Sequence, residues 1–290
     1  MRRREFIAGL AGSATVLPLA AWAQQPTALV VGYLYAGSPE PVANYLAEFR
    51  KGLSQMGFVE GRNLAIEFRF AHNEISRLPE LVADPVEMGL VAALNRPGRN
   101  VTGITQISTE LGSKRLELLR ELVPGARHIA LLIDPNNPTA DGAIKDTQAA
   151  AVAGGLQLEI VSARNNREID AAFANLVKER IEALLVSPTT LFANRRIQLQ
   201  SLAARHAMPT IYVDRADANA GGLMSYGPNI ADTYRQVGIY TGRILKGEKP
   251  EDLPVARPTK FEFVVNLQTA RTLGIEIPPT LLAIADEVIE

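Results

Sequence analysis

The residues best placed to do chemistry are polar and aromatic side chains that follow short apolar runs of the chain. Such runs cover residues 28–34, 128–133 and 183–186, and each is followed by turn-forming residues. In open α/β sheets, ligands bind outside the carboxyl ends of the strands, so these turns should meet at one cleft. The candidate ligand-binding residues are Tyr35, Ser38, Asn136, Asn137, Ser187, Thr189, Thr190, Asp214, Tyr226 and Asn229.

These side chains suit the binding of a small polar molecule. Several begin predicted helices, where free backbone N–H groups and the positive end of the helix dipole favour an anion such as a carboxylate. Asp214 or Asp134 could supply the carboxylate that an amine needs, so a zwitterion fits the set. The alternative stays open that these residues are only helix caps and turn formers.

The sequence carries no motif of an enzyme or of a metal site. It has no cysteine, and its three histidines, His72, His128 and His206, are widely spaced. Nucleotide-binding glycine loops, the G-x-S-x-G elbow and H-E-x-x-H are absent. Glu80 and Asp84 share one helix face, but this spacing is typical of a solvated surface. We therefore predict no catalytic residue, no metal and no cofactor.

Composition and charge describe an ordinary globular protein. The chain has 290 residues, with 30 Lys and Arg against 31 Asp and Glu, so it lacks the basic excess of a nucleic-acid binder. This length allows two medium-sized domains. Arg195 and Arg196 are predicted to be exposed charges on a helix, and the basic pair Lys114-Arg115 carries no specific signal.

Residues 1–23 have the features of a secretory signal peptide. Three arginines precede an apolar stretch at 6–19, and Ala21-Trp22-Ala23 forms a cleavage site. The stretch is shorter than the ~20 residues of a membrane span. The arginine pair also resembles a twin-arginine signal, and the choice between Tat and Sec export stays open. We predict a periplasmic protein that begins at Gln24, with no cysteine there to carry a lipid.

The elements that must position the candidate residues alternate between strand and helix. Strands are predicted at 28–34, 63–70, 128–133, 156–161, 183–186, 210–213, 222–225 and 260–265, and helices at 41–56, 75–83, 86–94, 111–122, 139–153, 169–178, 191–206, 230–245 and 267–273. The apolar run at 28–34 predicts a strand buried on both faces. We predict an α/β fold of two doubly wound parallel-sheet lobes joined by a crossing strand at 101–105, with residues 106–225 forming a self-contained parallel sheet.

Four segments resemble one known family. They read F-x-x-G-L-x-x-x-G-F-x-E-G-x-N at 49–63, N-R-P-G-x-N-x-T-G at 95–103, S-Y-G-P-N at 225–229 and A-D-E-V-I at 285–289. Together they resemble the ABC transporter substrate-binding family, which includes tryptophan-binding and other aromatic amino-acid-binding receptors. The resemblance implies a type I periplasmic-binding fold, with a small-molecule ligand trapped between two lobes by hinge closure. The expected lobes are residues 24–105 plus 227–252 and residues 106–226 plus 253–290.

The family pattern breaks after Asp84. Members continue there into a strand, a turn, a helix and another strand, whereas this chain runs directly into Pro85. A strand–helix–strand stretch of roughly thirty to forty residues, the size of a βαβ unit, is missing. We therefore predict a truncated first lobe with two core strands.

The resulting hypothesis is an exported solute-binding receptor of an ABC importer. Its expected partners are a small molecule, such as an amino acid or a similar organic anion or zwitterion, and the permease subunits in the inner membrane. We expect a monomer that binds no nucleic acid. The alternatives are a periplasmic α/β enzyme and a truncated family member with impaired binding.

Overall fold

A computed structural model of the chain describes residues 29–35, 37–70, 101–105 and 111–290. The signal peptide, the helices predicted at 75–83 and 86–94, and the break after Asp84 lie outside these residues. Those interpretations, including the truncation of the first lobe, stay predictions.

The smaller sheet consists, in the described part of the chain, of two parallel strands. They are β1 (Leu29–Tyr35) and β2 (Leu64–Phe70), joined through helix α1 (Ala43–Gln55). The register pairs Leu29 with Leu64 and Tyr35 with Phe70. Side chains alternate between the faces of a strand, and the aromatic residues of both strands lie on the face that packs against α1.

The prediction that β1 is buried on both faces is wrong. Val30 and Leu34 are 61% and 49% exposed, whereas Tyr33 and Tyr35 pack into a hydrophobic cluster on the opposite face. The described helices that contact this sheet cover one face. An apolar run therefore need not be buried on both sides, because burial depends on which helices cover the sheet.

The larger sheet has seven strands in the order β4-β3-β5-β6-β7-β8-β9. Its strands are β3 (His128–Ile133), β4 (Gln157–Ser162), β5 (Ala183–Val186), β6 (Thr210–Tyr212), β7 (Met224–Pro228), β8 (Phe261–Asn266) and β9 (Glu287–Ile289). The helices between and after them are α2 (Gly112–Leu122), α3 (Ala140–Ala153), α4 (Asn166–Lys178), α5 (Thr190–Asn194), α6 (Arg196–Arg205), α7 (Arg215–Asn219), α8 (Ile230–Leu245), α9 (Leu267–Leu273) and α10 (Pro279–Ile284).

Strands β3 to β6 lie parallel in this one sheet, as predicted. The sheet is not self-contained within residues 106–225, however. It continues through β7 into β8, which is antiparallel to β7, and into β9 at the end of the chain.

The larger sheet is covered by helices on both faces. Ile129, Leu131 and Ile133 pack in a cluster with residues of α2 and α3, while Ala130 and Leu132 pack in a second cluster with residues of α4 and α6. The continuous apolar run at 128–133 is thus explained, because each face of β3 needs apolar side chains.

Several predicted boundaries differ from the observed elements. The helix predicted at 191–206 is broken at Arg195 into α5 and α6, and the strand predicted at 222–225 lies at Met224–Pro228. Helices α7 and α10 and strand β9 were not predicted. They span five, six and three residues, too few for a periodic pattern to emerge.

Helix α8 follows the larger sheet in sequence but packs on the smaller one. Its Gly238 lies against Gly52 of α1, and a Cβ at Gly238 would stand 3.0 Å from the Cα of Gly52. Backbone therefore meets backbone at this helix crossing. The crossing strand predicted at 101–105 is not a regular strand: Ile104 forms a single parallel bridge with Ala256, and the N–H of Thr105 donates to the carbonyl of Ala256 at 2.9 Å.

Candidate functional site

The two lobes touch where the end of β1 faces the ends of β5 and β6. Gly37, in the loop after β1, is buried against the start of α5. A Cβ at this glycine would stand 2.8 Å from Cγ2 of Thr190 and 2.9 Å from Nδ2 of Asn194. A side chain at this position would require these side-chain ends to shift, so glycine allows the close contact between the lobes.

A second contact joins Tyr45 of α1 to Asp214, the residue before α7. The hydroxyl of Tyr45 donates to the carboxylate of Asp214, with its oxygen 2.6 Å from Oδ1 and 2.7 Å from Oδ2. The two residues are 169 positions apart in the sequence. We refer to this contact as the Tyr45–Asp214 bond.

Arg196 and Asp217 extend the Tyr45–Asp214 bond into a polar network. Nε of Arg196 donates to Oδ1 of Asp217 at 2.6 Å, and its Nη2 lies 3.9 Å from Oδ2 of Asp214. The side chains of Arg196 and Asp217 are 14% and 13% exposed, so water screens this ion pair weakly. Gln200 fixes the backbone as well, because its Nε2 donates to the carbonyl of Asp217 at 2.8 Å.

Burial shapes the ionisation of these groups. It raises the pKa of Asp217 to about 6, although the charge of Arg196 opposes the shift. Burial alone would lower the pKa of Arg196, but the charge of Asp217 and the hydrogen bond to it together have the larger effect, so the pKa of Arg196 is raised. Burial and the neighbouring Asp214 raise the pKa of Tyr45, which therefore stays a neutral hydrogen-bond donor.

Aromatic rings form the first-lobe wall beside this network. The ring centroids of Tyr33 and Phe68 lie 5.5 Å apart, and those of Tyr35 and Phe70 lie 6.4 Å apart. The ring of Tyr234 in α8 is tilted against that of Tyr45, with the two centroids 5.4 Å apart. Burial raises the pKa of Tyr35 to about 12, with the charge of Tyr33 adding to the shift. The rings of β1 and β2 are thus uncharged, and they lie on the sheet face that packs against α1.

Three predicted site residues cap helices. Thr189 accepts from the backbone of Phe192 at the start of α5, Asp214 accepts from Ala216 at the start of α7, and Asn229 caps α8. Asn137 bridges two loops, since its Nδ2 donates to the carbonyl of Pro188 at 2.9 Å. Capping does not exclude binding, because Asp214 also reaches across to the first lobe.

The other predicted site residues differ in burial and in their position relative to the strand ends. Ser187 is buried and its N–H continues the ladder of β5 to the carbonyl of Leu132, while Ser38 lies in the loop after Gly37. Asn136 is exposed, and Asp134 is buried, which raises its pKa. Tyr226 lies within β7 rather than after it, and its ring stacks on Phe261 with centroids 6.4 Å apart.

The interpretation of Arg196 as an exposed charge is wrong, because its side chain is 14% exposed and forms the network described above. Arg115, which carries no specific signal in the sequence, is buried. Arg196 stands at the first position of α6, where the positive end of the helix dipole disfavours a cation. The sequence did not show this position, because the helix was predicted to run from 191 to 206 without a break. Tyr45 lies in the helix predicted at 41–56, and no sequence pattern connects it to Asp214.

Comparison with known proteins identifies the family. A model of the family described as ABC transporter substrate binding protein matches residues 78–289. The chain belongs to this family. Its members are substrate-binding proteins rather than enzymes, and such proteins work outside the cytoplasm with ABC permeases as partners.

Individual relatives support the same fold. A curated tyrosine-binding protein of Clostridioides difficile is 22% identical over 264 residues, which are 79% of this chain and 76% of that protein. The ABC domain from Streptococcus pneumoniae in complex with L-Trp is 23% identical with a TM-score of 0.78, over 89% of this chain and all of that one. A conserved domain protein from Vibrio cholerae is 21% identical with a TM-score of 0.81, over 90% and 99%. The predicted α/β fold of the type I periplasmic-binding proteins is confirmed.

The described residues contain neither a group of metal-ligating side chains nor a membrane-spanning helix. No group of three His, Asp or Glu side chains among them is arranged to hold a metal ion. None of the helices described above has the length and apolar character to cross a bilayer.

Proposed function

We propose that this protein is an exported receptor that holds an amino acid with an aromatic side chain between its lobes and delivers it to an ABC permease. The contact region described above is the proposed site. The observation that carries the proposal is the meeting of opposite charges, Asp214 and Arg196, with an aromatic wall on the facing lobe.

The chemistry of the two walls matches a zwitterion. The carboxylate of Asp214 suits a ligand ammonium group, and the guanidinium of Arg196 has five N–H donors, enough to bind Asp217 and a ligand carboxylate together. The rings of Tyr35 and Phe70 meet each other edge to face, and we propose that the aromatic side chain of the ligand packs beside them. The names of two relatives, a tyrosine-binding protein and a complex with L-Trp, favour the same ligand class.

Calorimetric titration of the chain from Gln24 onward tests the proposal. We expect binding of L-tryptophan or L-tyrosine, and weaker binding of tryptamine and indole-3-propionate, which lack the carboxylate and the ammonium group. A ligand at 100 times its Kd should add about 2.7 kcal/mol to the free energy of unfolding. No heat and no thermal shift with any aromatic amino acid would refute the ligand class.

Export is the second part of the proposal. The features of residues 1–23 support cleavage after Ala23, which would release the chain into the periplasm. N-terminal sequencing of periplasmic material should read from Gln24, and an intact Met1 would contradict this. Light scattering of the same material should give the mass of a monomer.

One observation favours a second candidate, a family member with impaired binding. Val30 and Leu34 expose apolar surface on β1, as expected if the first lobe lacks part of its cover. The comparison is between this chain and a version with a strand–helix–strand segment inserted between Asp84 and Pro85. Higher stability and affinity in the longer chain would support impairment, and equal values would contradict it.

A further inference from the structure

We propose that Tyr45 regulates the site by competing with the ligand's ammonium group for Asp214, so that the Tyr45–Asp214 bond holds the lobes together until ligand displaces it. This inference rests on the proposed function for the identity of the competitor. The bond between the lobes can be tested without any ligand.

The hydrogen bonds of Asp214 leave little room for two partners. A carboxylate has about four lone-pair positions on its two oxygens. Oδ1 already accepts the N–H of Ala216 at 3.0 Å, and Oδ2 faces Arg196 at 3.9 Å. The Tyr45 hydroxyl lies between the two oxygens, within 2.7 Å of both. Both positions on Oδ1 are then occupied and the hydroxyl also covers Oδ2, so an ammonium group that approaches Asp214 from the cleft competes with this hydroxyl.

Both partners of the bond are held rigidly before they meet. The capping of α7 fixes the side chain of Asp214. Tyr45 is 9% exposed, and its ring packs against Tyr234 on one side of the first lobe's core. Little side-chain freedom is lost when they bond, so the contact favours the closed arrangement of the lobes more than a bond between mobile surface groups would.

The electrostatic surroundings favour the same conclusion. Burial and the charge of Asp214 keep the Tyr45 hydroxyl protonated, and a neutral donor bound to a carboxylate makes a charge-assisted hydrogen bond. An ammonium group carries a full charge and three donors, so it can replace the hydroxyl. Part of its binding free energy is then used to break the Tyr45–Asp214 bond, which lowers ligand affinity and raises the ligand concentration at which the receptor responds.

The first experiment measures the distance between the lobes. The chain has no cysteine, so Ser54→Cys in α1 and Lys145→Cys in α3, both at exposed positions, give two unique sites for spin labels. In the absence of amino acid, Tyr45→Phe should shift the distance distribution toward longer values and lower the ratio of closed to open molecules about tenfold, equal to about 1.4 kcal/mol at 25 °C.

A matched control removes a tyrosine hydroxyl that bonds within one lobe. The hydroxyl of Tyr33 donates to that of Tyr234 at 3.3 Å, and both residues belong to the first lobe. Tyr33→Phe should leave the distance distribution unchanged. If Tyr45→Phe also leaves it unchanged, the Tyr45–Asp214 bond does not hold the lobes and the inference is wrong.

The second experiment separates this inference from the proposed function. Tyr45→Phe should raise the affinity for L-tryptophan relative to that for indole-3-propionate several-fold, because a change in lobe closure affects both ligands whereas only an ammonium group competes with the hydroxyl. An unchanged or lower ratio of the two affinities in Tyr45→Phe would overturn the competition. If neither variant nor wild type binds an aromatic amino acid, competition and proposed function fail together, while the distance measurement still decides whether the bond holds the lobes.

Discussion

The crossing of α1 and α8 gives the sharpest test of how the first lobe is assembled. A Cβ at Gly238 would overlap the carbonyl oxygen of Phe49 and would stand 2.9 Å from the N–H nitrogen of Leu53. These are backbone atoms, which cannot rotate away as a side-chain tip can. Gly238→Ala must therefore push the two helices apart and loosen the packing of Phe49 and Leu53, both at most 3% exposed.

Two opposing terms set the magnitude. Overpacking at a rigid contact costs up to about 3 kcal/mol. Alanine in place of glycine inside a helix gains about 1 kcal/mol. We expect Gly238→Ala to lower the free energy of unfolding by about 2 kcal/mol, which corresponds to a fall in Tm of about 4–8 °C at ~2–4 °C per kcal/mol.

Urea denaturation followed by circular dichroism measures this change, and Gly142→Ala is the matched control. Gly142 is also helical, within α3, but a Cβ there would meet no atom within 4 Å. This control should gain about 0.5–1 kcal/mol from helix propensity alone. Equal or greater stability of Gly238→Ala relative to wild type would refute the close backbone contact between α1 and α8.

Three further predictions concern the site and its caps. The pKa of Asp217 is raised from 3.8 to about 6 in the folded state, so folding favours the protonated carboxyl group. The contribution of this group to the free energy of unfolding is therefore fully present below pH 3.8 and is lost as the pH rises through about 6. Asp217→Asn should therefore gain stability relative to wild type between pH 4 and pH 7, by on the order of 2 kcal/mol, and parallel pH curves would contradict this. Asn229 accepts the N–H of Asp232 at 2.6 Å, so Asn229→Ala should cost about 1 kcal/mol in urea titrations, whereas Asn229→Ser should restore most of it. Asp214→Ala should weaken calorimetric binding of an amine-bearing amino acid at least tenfold, because one partner of a desolvated ion pair is lost, and unchanged affinity would remove Asp214 from the site.

Much of the fold could be predicted from local patterns. The run at 128–133 and the helical spacing at 230–245 predicted β3 and α8 to within a residue. Their positions follow from the apolar periodicity that any strand or helix needs when it packs on a core. The end of the chain was harder, because β9 spans three residues and exists through its pairing with β8.

The candidate site could be predicted only in part. The turns after β3, β5 and β6 were identified correctly as neighbours, because parallel strands place their carboxyl ends at one edge of a sheet. The polar network that joins Arg196, Asp217 and Tyr45 to Asp214 was not predicted. Each of these residues looks ordinary in its own helix or loop, and its role depends on a partner from another element.

The sequence by itself determined the family, the alternation of strands and helices and the apolar faces of β3, since these depend on residues close together in the chain. Only the tertiary structure decided that α8 returns to pack on α1, that one face of β1 stays exposed, and that Tyr45 meets Asp214 across the lobes. The physical reason is that these contacts join residues up to roughly two hundred positions apart. Their energies depend on relative positions in space, such as backbone approach at Gly238 and hydrogen-bond geometry at Asp214, which local periodicity does not encode.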